Sequence, residues 1–152
     1  MTPLSPRLTA LAALLARLLL ATLFLLAGAE AGADLPAFGA RLAADGLPAE
    51  LSGFVFYFLI GAGLAMVAGL QMRLVALAMA GFCLASGAIA YGDLAQPTDM
   101  VMLLKNIALS GGYGFAALYG PGAWSLDGWL ARRRTVAAPG AAPEAAPAAL
   151  AC

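Results

Sequence analysis

Three ionisable side chains, Arg17, Glu30 and Lys105, stand within or at the edge of long apolar runs, and Asn106 directly follows the lysine. A charge at the centre of a membrane span costs ~2.5–3.5 kcal/mol even on a lenient insertion scale, so each demands a partner or a route to water. Lysine beside asparagine offers an ammonium donor, an amide donor and a carbonyl acceptor. With the Glu30 carboxylate within reach, that set suits the polar head of an amphiphilic ligand such as a quinone or a lipid. It suits an interhelical lock, a Glu30–Lys105 pair, equally well. Arg17 has a natural partner in Asp127, and an arginine–carboxylate clamp there would tie the first span to the segment after the last. That pair reads as structural.

No catalytic constellation accompanies these residues. The chain has no histidine, which removes the commonest haem, copper and zinc ligand. Its two cysteines, Cys83 and Cys152, form no CxxC, and Cys83 sits in an apolar run as a packing residue. No metal site and no covalently bound cofactor are expected. Formal net charge is zero and no basic stripe alternates with aromatics, so nucleic acid is not expected as a partner.

The elements that must position the polar groups are membrane helices. Of 152 residues, 63% are hydrophobic and 11% charged, against roughly 25% charged in a globular domain. The mean hydropathy is +0.92. A soluble fold of this length has no interior large enough for so much apolar surface, so the solvent is lipid. A bilayer core needs about 20 mostly apolar residues per helix. Four stretches qualify, at about 6–30, 54–70, 74–91 and 100–119. Ser5-Pro6 supplies an N-cap and a first-turn proline for the first span. Arg17 interrupts its apolar stretch and three spans follow, so it reads as a retained helix rather than a signal peptide.

The predicted architecture is an all-α membrane protein, a four-transmembrane-helix antiparallel bundle over residues 1–131. An outer loop, 31–53, joins the first two spans. Within it Leu35, Phe38 and Leu42 recur at helical spacing with Arg41 to one side, the pattern of a short surface helix. It reads more readily as a solvated connector than as a lid. Residues 132–152 are expected to form a basic stop and an Ala/Pro-rich disordered tail. Arg7, Arg73 and Arg132-Arg133-Arg134 fall on one side of the membrane, whereas Arg41 is the lone base on the other, so both termini are expected in the cytoplasm.

Depth along the helices follows from the rise of 1.5 Å per residue. Lys105, six residues after Asp99, lies roughly 9 Å below the outer end of its span. Arg17, ten residues after Arg7, lies roughly 15 Å in from the cytoplasmic end. Small residues at every fourth position let membrane helices approach closely. Gly61, Ala65 and Gly69 form such a strip, as do Ala108, Gly112, Ala116 and Gly120; shorter pairs are Ala76 with Ala80 and Gly81 with Ala85. A strip left facing outward would serve a homo-oligomer or another membrane subunit.

The run LLKNIALSGGYGFAALYGPGAWSLD, Leu103 to Asp127, combines Lys-Asn, an apolar helix with a Gly-Gly pair, Gly-Pro-Gly and Ser-Leu-Asp. With Arg17, FLLAG at Phe24–Gly28 and GLAMVAGLQMR at Gly63–Arg73, it resembles the DoxX family of small bacterial membrane proteins over about residues 7 to 130. Family members often carry a glutamate early in the second span, where this chain is apolar around Leu59. They often carry a lysine just after the first span, where this chain reads Glu30-Ala31. The resemblance implies a multi-pass protein of the bacterial inner membrane. It also implies association with quinone-linked redox metabolism, usually beside a partner subunit. Some relatives are subunits of thiosulfate:quinone oxidoreductases.

The expected function is that of a DoxX-like inner-membrane subunit of such a complex. It would hold a quinone or lipid near Glu30, Lys105 and Asn106 without carrying electrons itself. The alternative is a purely structural accessory subunit of a larger assembly. A small transporter is disfavoured, because no half-helix interruption or internal repeat appears.

Overall fold

Ser5 and Pro6 open the first helix as their order predicts, with the Ser5 hydroxyl accepting from the Leu8 amide at 3.4 Å. The computed structural model describes residues 5–137, and the expected tail beyond them lies outside the described residues. Its elements are α1 (Pro6–Ala33), α2 (Leu35–Ala44), α3 (Leu51–Ala68), α4 (Met72–Ala90), α5 (Pro97–Tyr119) and α6 (Leu126–Ala137). Of these, α1, α3, α4 and α5 are long and apolar enough to cross a membrane. Each begins or ends within about three residues of its expected boundary, because the helix continues past the apolar run into the headgroup region.

Turn chemistry sets the stops. Asp34 ends α1 and at once caps α2, accepting from the Ala37 amide at 3.0 Å. Gly69 ends α3 in the left-handed region, φ 67°, and Gln71 follows at φ 45°. Ser125 starts α6, its hydroxyl accepting from the Gly128 amide at 3.0 Å. That cap is the sequence signal for a helix the hydropathy pattern passes over, and the expected basic stop, Arg132–Arg134, lies within this helix, which runs on to Ala137 and so into the start of the expected tail.

The spans form a ring in the order α1, α3, α4, α5. The pairs α1/α3 and α4/α5 are intimate, and looser contacts join α3 to α4 and α1 to α5. α2 folds back over the end of the bundle where α1 stops and α3 starts. Each span buries one stripe and turns its remaining leucines to lipid; on α4 the stripe is Met72, Ala76, Met79, Cys83 and Gly87. Close approach follows these stripes and not all the expected small-residue strips. Gly28 faces Leu59 and Ile60, Gly63 faces Leu25, and Gly87 faces Asn106. Gly61 and Gly81 face open space and Ala108 is exposed. Fourfold spacing marks a face that permits packing, and lipid accepts a small residue as readily as a neighbouring helix does.

The centre of the ring is aromatic. Phe24 of α1 stands edge-to-face with one ring from each other span: Phe58 at 6.3 Å, Phe82 at 5.7 Å and Tyr113 at 5.5 Å between centroids. Tyr113 is fully buried, and its hydroxyl donates to the Leu20 carbonyl on α1 at 2.8 Å. A buried phenol with its hydrogen bond made holds α5 to α1, where backbone contact is sparse.

Candidate functional site

Above the aromatic centre the two helix pairs part and leave a cavity of about 450 Å³. Phe24, Leu59 and Phe82 form its floor, and Phe38, Arg41 and Leu42 of α2 contribute to its roof. The short amphipathic helix is therefore a cover over this space as well as a connector. Glu30, Lys105 and Asn106, the three residues singled out as a candidate site, all line this one cavity. Four elements deliver polar groups to it: α1 through Glu30, α2 through Arg41 with Asp34 and Asp45 at its ends, α4 through Ser86, and α5 through Lys105 and Asn106.

Glu30 pairs with Arg41, Nη1 to Oε1 3.1 Å, instead of with Lys105. Arg41 is brought there because α2 doubles back over the end of α1, a proximity no pattern in the first span reveals. Both side chains are mostly exposed, 71% for Glu30 and 68% for Arg41, so the pair contributes little. Glu30→Gln or Arg41→Gln should change unfolding stability by no more than ~0.5–1 kcal/mol, read by denaturant titration of the purified protein.

With Glu30 engaged, the Lys105 ammonium makes no ion pair among the described residues; its contact is the Met102 sulfur at 3.2 Å. Asn106 is buried, and its amide nitrogen donates to the Met102 carbonyl one turn back at 3.0 Å. Its side-chain oxygen accepts no bond from the described residues. An ammonium and an amide oxygen thus stand on consecutive residues of α5 with hydrogen-bonding capacity that no other described residue takes up, at the wall of a cavity lined by apolar and polar side chains. Gly87 makes this possible, since a Cβ there would run into the Asn106 Cβ at 2.9 Å. Ser86, Tyr91 and Cys83 also line the cavity, and hydropathy gave no sign of it because they sit in an apolar helix and its end.

At the opposite end Arg17 and Asp127 meet the same turn but do not pair with each other. Arg17 is 3% exposed and donates from Nη2 to the Trp124 carbonyl, while Nε and Nη1 find no partner among the described residues. The Asp127 carboxylate instead caps α4, accepting from the Gln71 and Met72 amides at 2.9 and 3.0 Å. Its own amide donates to the Gly69 carbonyl at 3.1 Å. The carboxylate goes to the α4 N-terminus because two unsatisfied amides with a helix dipole behind them already form an anion site there. The tie between first span and last segment exists, made through backbone rather than as an ion pair.

The DoxX family profile matches residues 12–92. The inner membrane protein YqjF of Escherichia coli (strain K12) is 32% identical over 120 residues, covering 79% of this chain and 92% of that protein. The chain belongs to the DoxX family. It is a multi-pass protein of the bacterial inner membrane, in contact with lipid along all four spans. The profile's stretch holds Arg17, Glu30 and Cys83 and stops short of Lys105 and Asn106. No solved structure matches the chain.

Proposed function

We propose that this DoxX protein is a subunit of a quinone-linked redox complex and holds the head of a quinone, or of a lipid of similar shape, in the α2-covered cavity. One observation carries the reading: Lys105 and Asn106 keep hydrogen-bonding capacity that no other described residue takes up, over an aromatic floor in a space of about 450 Å³, within the range of small-molecule sites. Lys105 donates to a carbonyl oxygen of the head group, and the Asn106 oxygen accepts from a hydroxyl where the head is reduced. Phe24 and Phe82 give the ring an apolar surface to lie against. Glu30 and Arg41, joined to each other, restrict water at the cover. A bound quinone would supply the two-electron chemistry. The chain, with no histidine and no cysteine pair, would position it for a partner subunit.

The basic residues Arg7, Arg73 and Arg132–Arg134 all sit at the end that carries the termini, which supports a cytoplasmic placement of that end. The cavity would then open towards the outer leaflet.

The test is gentle-detergent purification from the native membrane, followed by mass spectrometry of co-purifying proteins and extracted lipids and quinones. The wild type should carry near-stoichiometric quinone. A Lys105→Ala, Asn106→Leu double variant should lose roughly tenfold or more in occupancy, the value of one charge-assisted hydrogen bond. A stoichiometric protein complex with no bound quinone would make the chain a structural accessory subunit, with Lys105 and Asn106 serving as helix contacts.

A further inference from the structure

α6 takes no part in the cavity and lies at the other end of the molecule. It is fixed there at both of its halves. Asp127 binds the α4 N-terminus and the Gly69 carbonyl, and Arg132 donates to the Ala123 carbonyl at 3.1 Å. The helix therefore starts level with the α3–α4 turn, where two spans leave the bilayer.

Leu126, Trp129, Leu130 and Arg133 follow the i, i+3, i+4, i+7 spacing that puts side chains on one helix face. Leu126, Trp129 and Leu130 remain 44%, 42% and 38% exposed. Arg133 lies over the Trp129 ring, 3.8 Å from its centroid. An indole and two leucines at the exit level of a bundle belong in the headgroup layer, with the arginine reaching phosphates from above the ring. The charge balance gives the chemistry of that layer. α6 carries Arg132, Arg133 and Arg134 against Asp127, whose two carboxylate oxygens are already committed to amides. A hollow of about 340 Å³ at the same junction, lined by Gln71, Met72, Leu74, Pro121 and Asp127, adds Arg73.

We propose that α6 lies in the headgroup layer and, with Arg73, selects anionic phospholipid head groups over zwitterionic ones. The bundle thereby gathers a shell of acidic lipid at this end. The proposal is independent of what the cavity binds. A juxtamembrane arginine favours an anionic surface enough to enrich acidic lipid roughly fivefold.

The chain's two tryptophans, Trp124 and Trp129, both lie at this junction and report on it directly. Full-length protein would be placed in phosphatidylcholine nanodiscs containing an equal minor fraction of either brominated phosphatidylglycerol or brominated phosphatidylcholine. Tryptophan quenching by the brominated phosphatidylglycerol should exceed that by brominated phosphatidylcholine at least twofold. In Arg133→Gln/Arg134→Gln the excess should fall by about half or more while quenching by both lipids persists, and an unchanged excess would overturn the role of α6; Arg133→Lys/Arg134→Lys should retain it. Equal quenching of the wild type by the two lipids would overturn the selectivity. Absence of quenching would overturn the placement of α6. Both arginines are exposed, and an unchanged thermal transition would confirm that the variants fold.

Discussion

Gly69→Ala should destabilise the bundle by about 4 kcal/mol or more, among the largest single-residue losses in this chain. Gly69 holds φ 67°, where an alanine costs roughly 1–3 kcal/mol in backbone strain. The added Cβ would also meet Arg17 Nη1 and the Ser125 Cβ. Arg17 would have to leave the Trp124 carbonyl, losing a hydrogen bond to a charged donor of about 1.5–3 kcal/mol. The alternatives are poor: two of its nitrogens are already buried without partners among the described residues, and the surrounding helices are apolar. The comparison is Gly46→Ala. Gly46 has a similar φ, 81°, but its Cβ would face open space, so it should lose only the strain, about 1 kcal/mol. Both variants would be read by thermal and denaturant unfolding in detergent. Equal losses would mean that the Arg17 contact contributes nothing beyond backbone conformation.

Tyr113→Ala should cost about 3–5 kcal/mol, and Tyr113→Phe about 1 kcal/mol. The ring has no exposed surface and stands against Phe24, so its removal leaves a void at the point where the spans converge. The phenylalanine variant keeps that packing and gives up the bond to the Leu20 carbonyl. Because Phe24 is also the cavity floor, the proposed quinone site should lose occupancy in Tyr113→Ala as well. Tyr113→Phe should leave it nearly unchanged. If the two variants lose stability equally, the hydroxyl and not the ring is what joins α5 to α1.

Much of the candidate site was legible before folding. Lys105 and Asn106 announce themselves because an apolar run seldom keeps a charge and an amide together, and helical rise alone puts them at the depth where the cavity lies. Glu30 was placed at the correct end for the same reason. Its partner was not legible. The carboxylate could reach several cations, and the choice of Arg41 depends on the angle at which α2 leaves Asp34. Arg17 and Asp127 were recognised as a link between the two ends of the chain. The form of the link was missed, because Asp127 is attracted to the bare amides of α4, and those exist only once α3 and α4 have turned about Gly69.

The amino-acid sequence by itself determined the solvent, the number of spans, their approximate ends and the position of each polar residue along its helix. These follow from hydropathy, caps and rise per residue, which act along one helix at a time. Tertiary structure alone decided which face of each helix is buried, that α2 covers a cavity, and that four aromatic rings from four spans meet beneath it. It also fixed α6 against the α3–α4 turn. In lipid an apolar face and a packed face have the same composition, so shape and hydrogen bonding between helices, invisible along any one of them, make the choice.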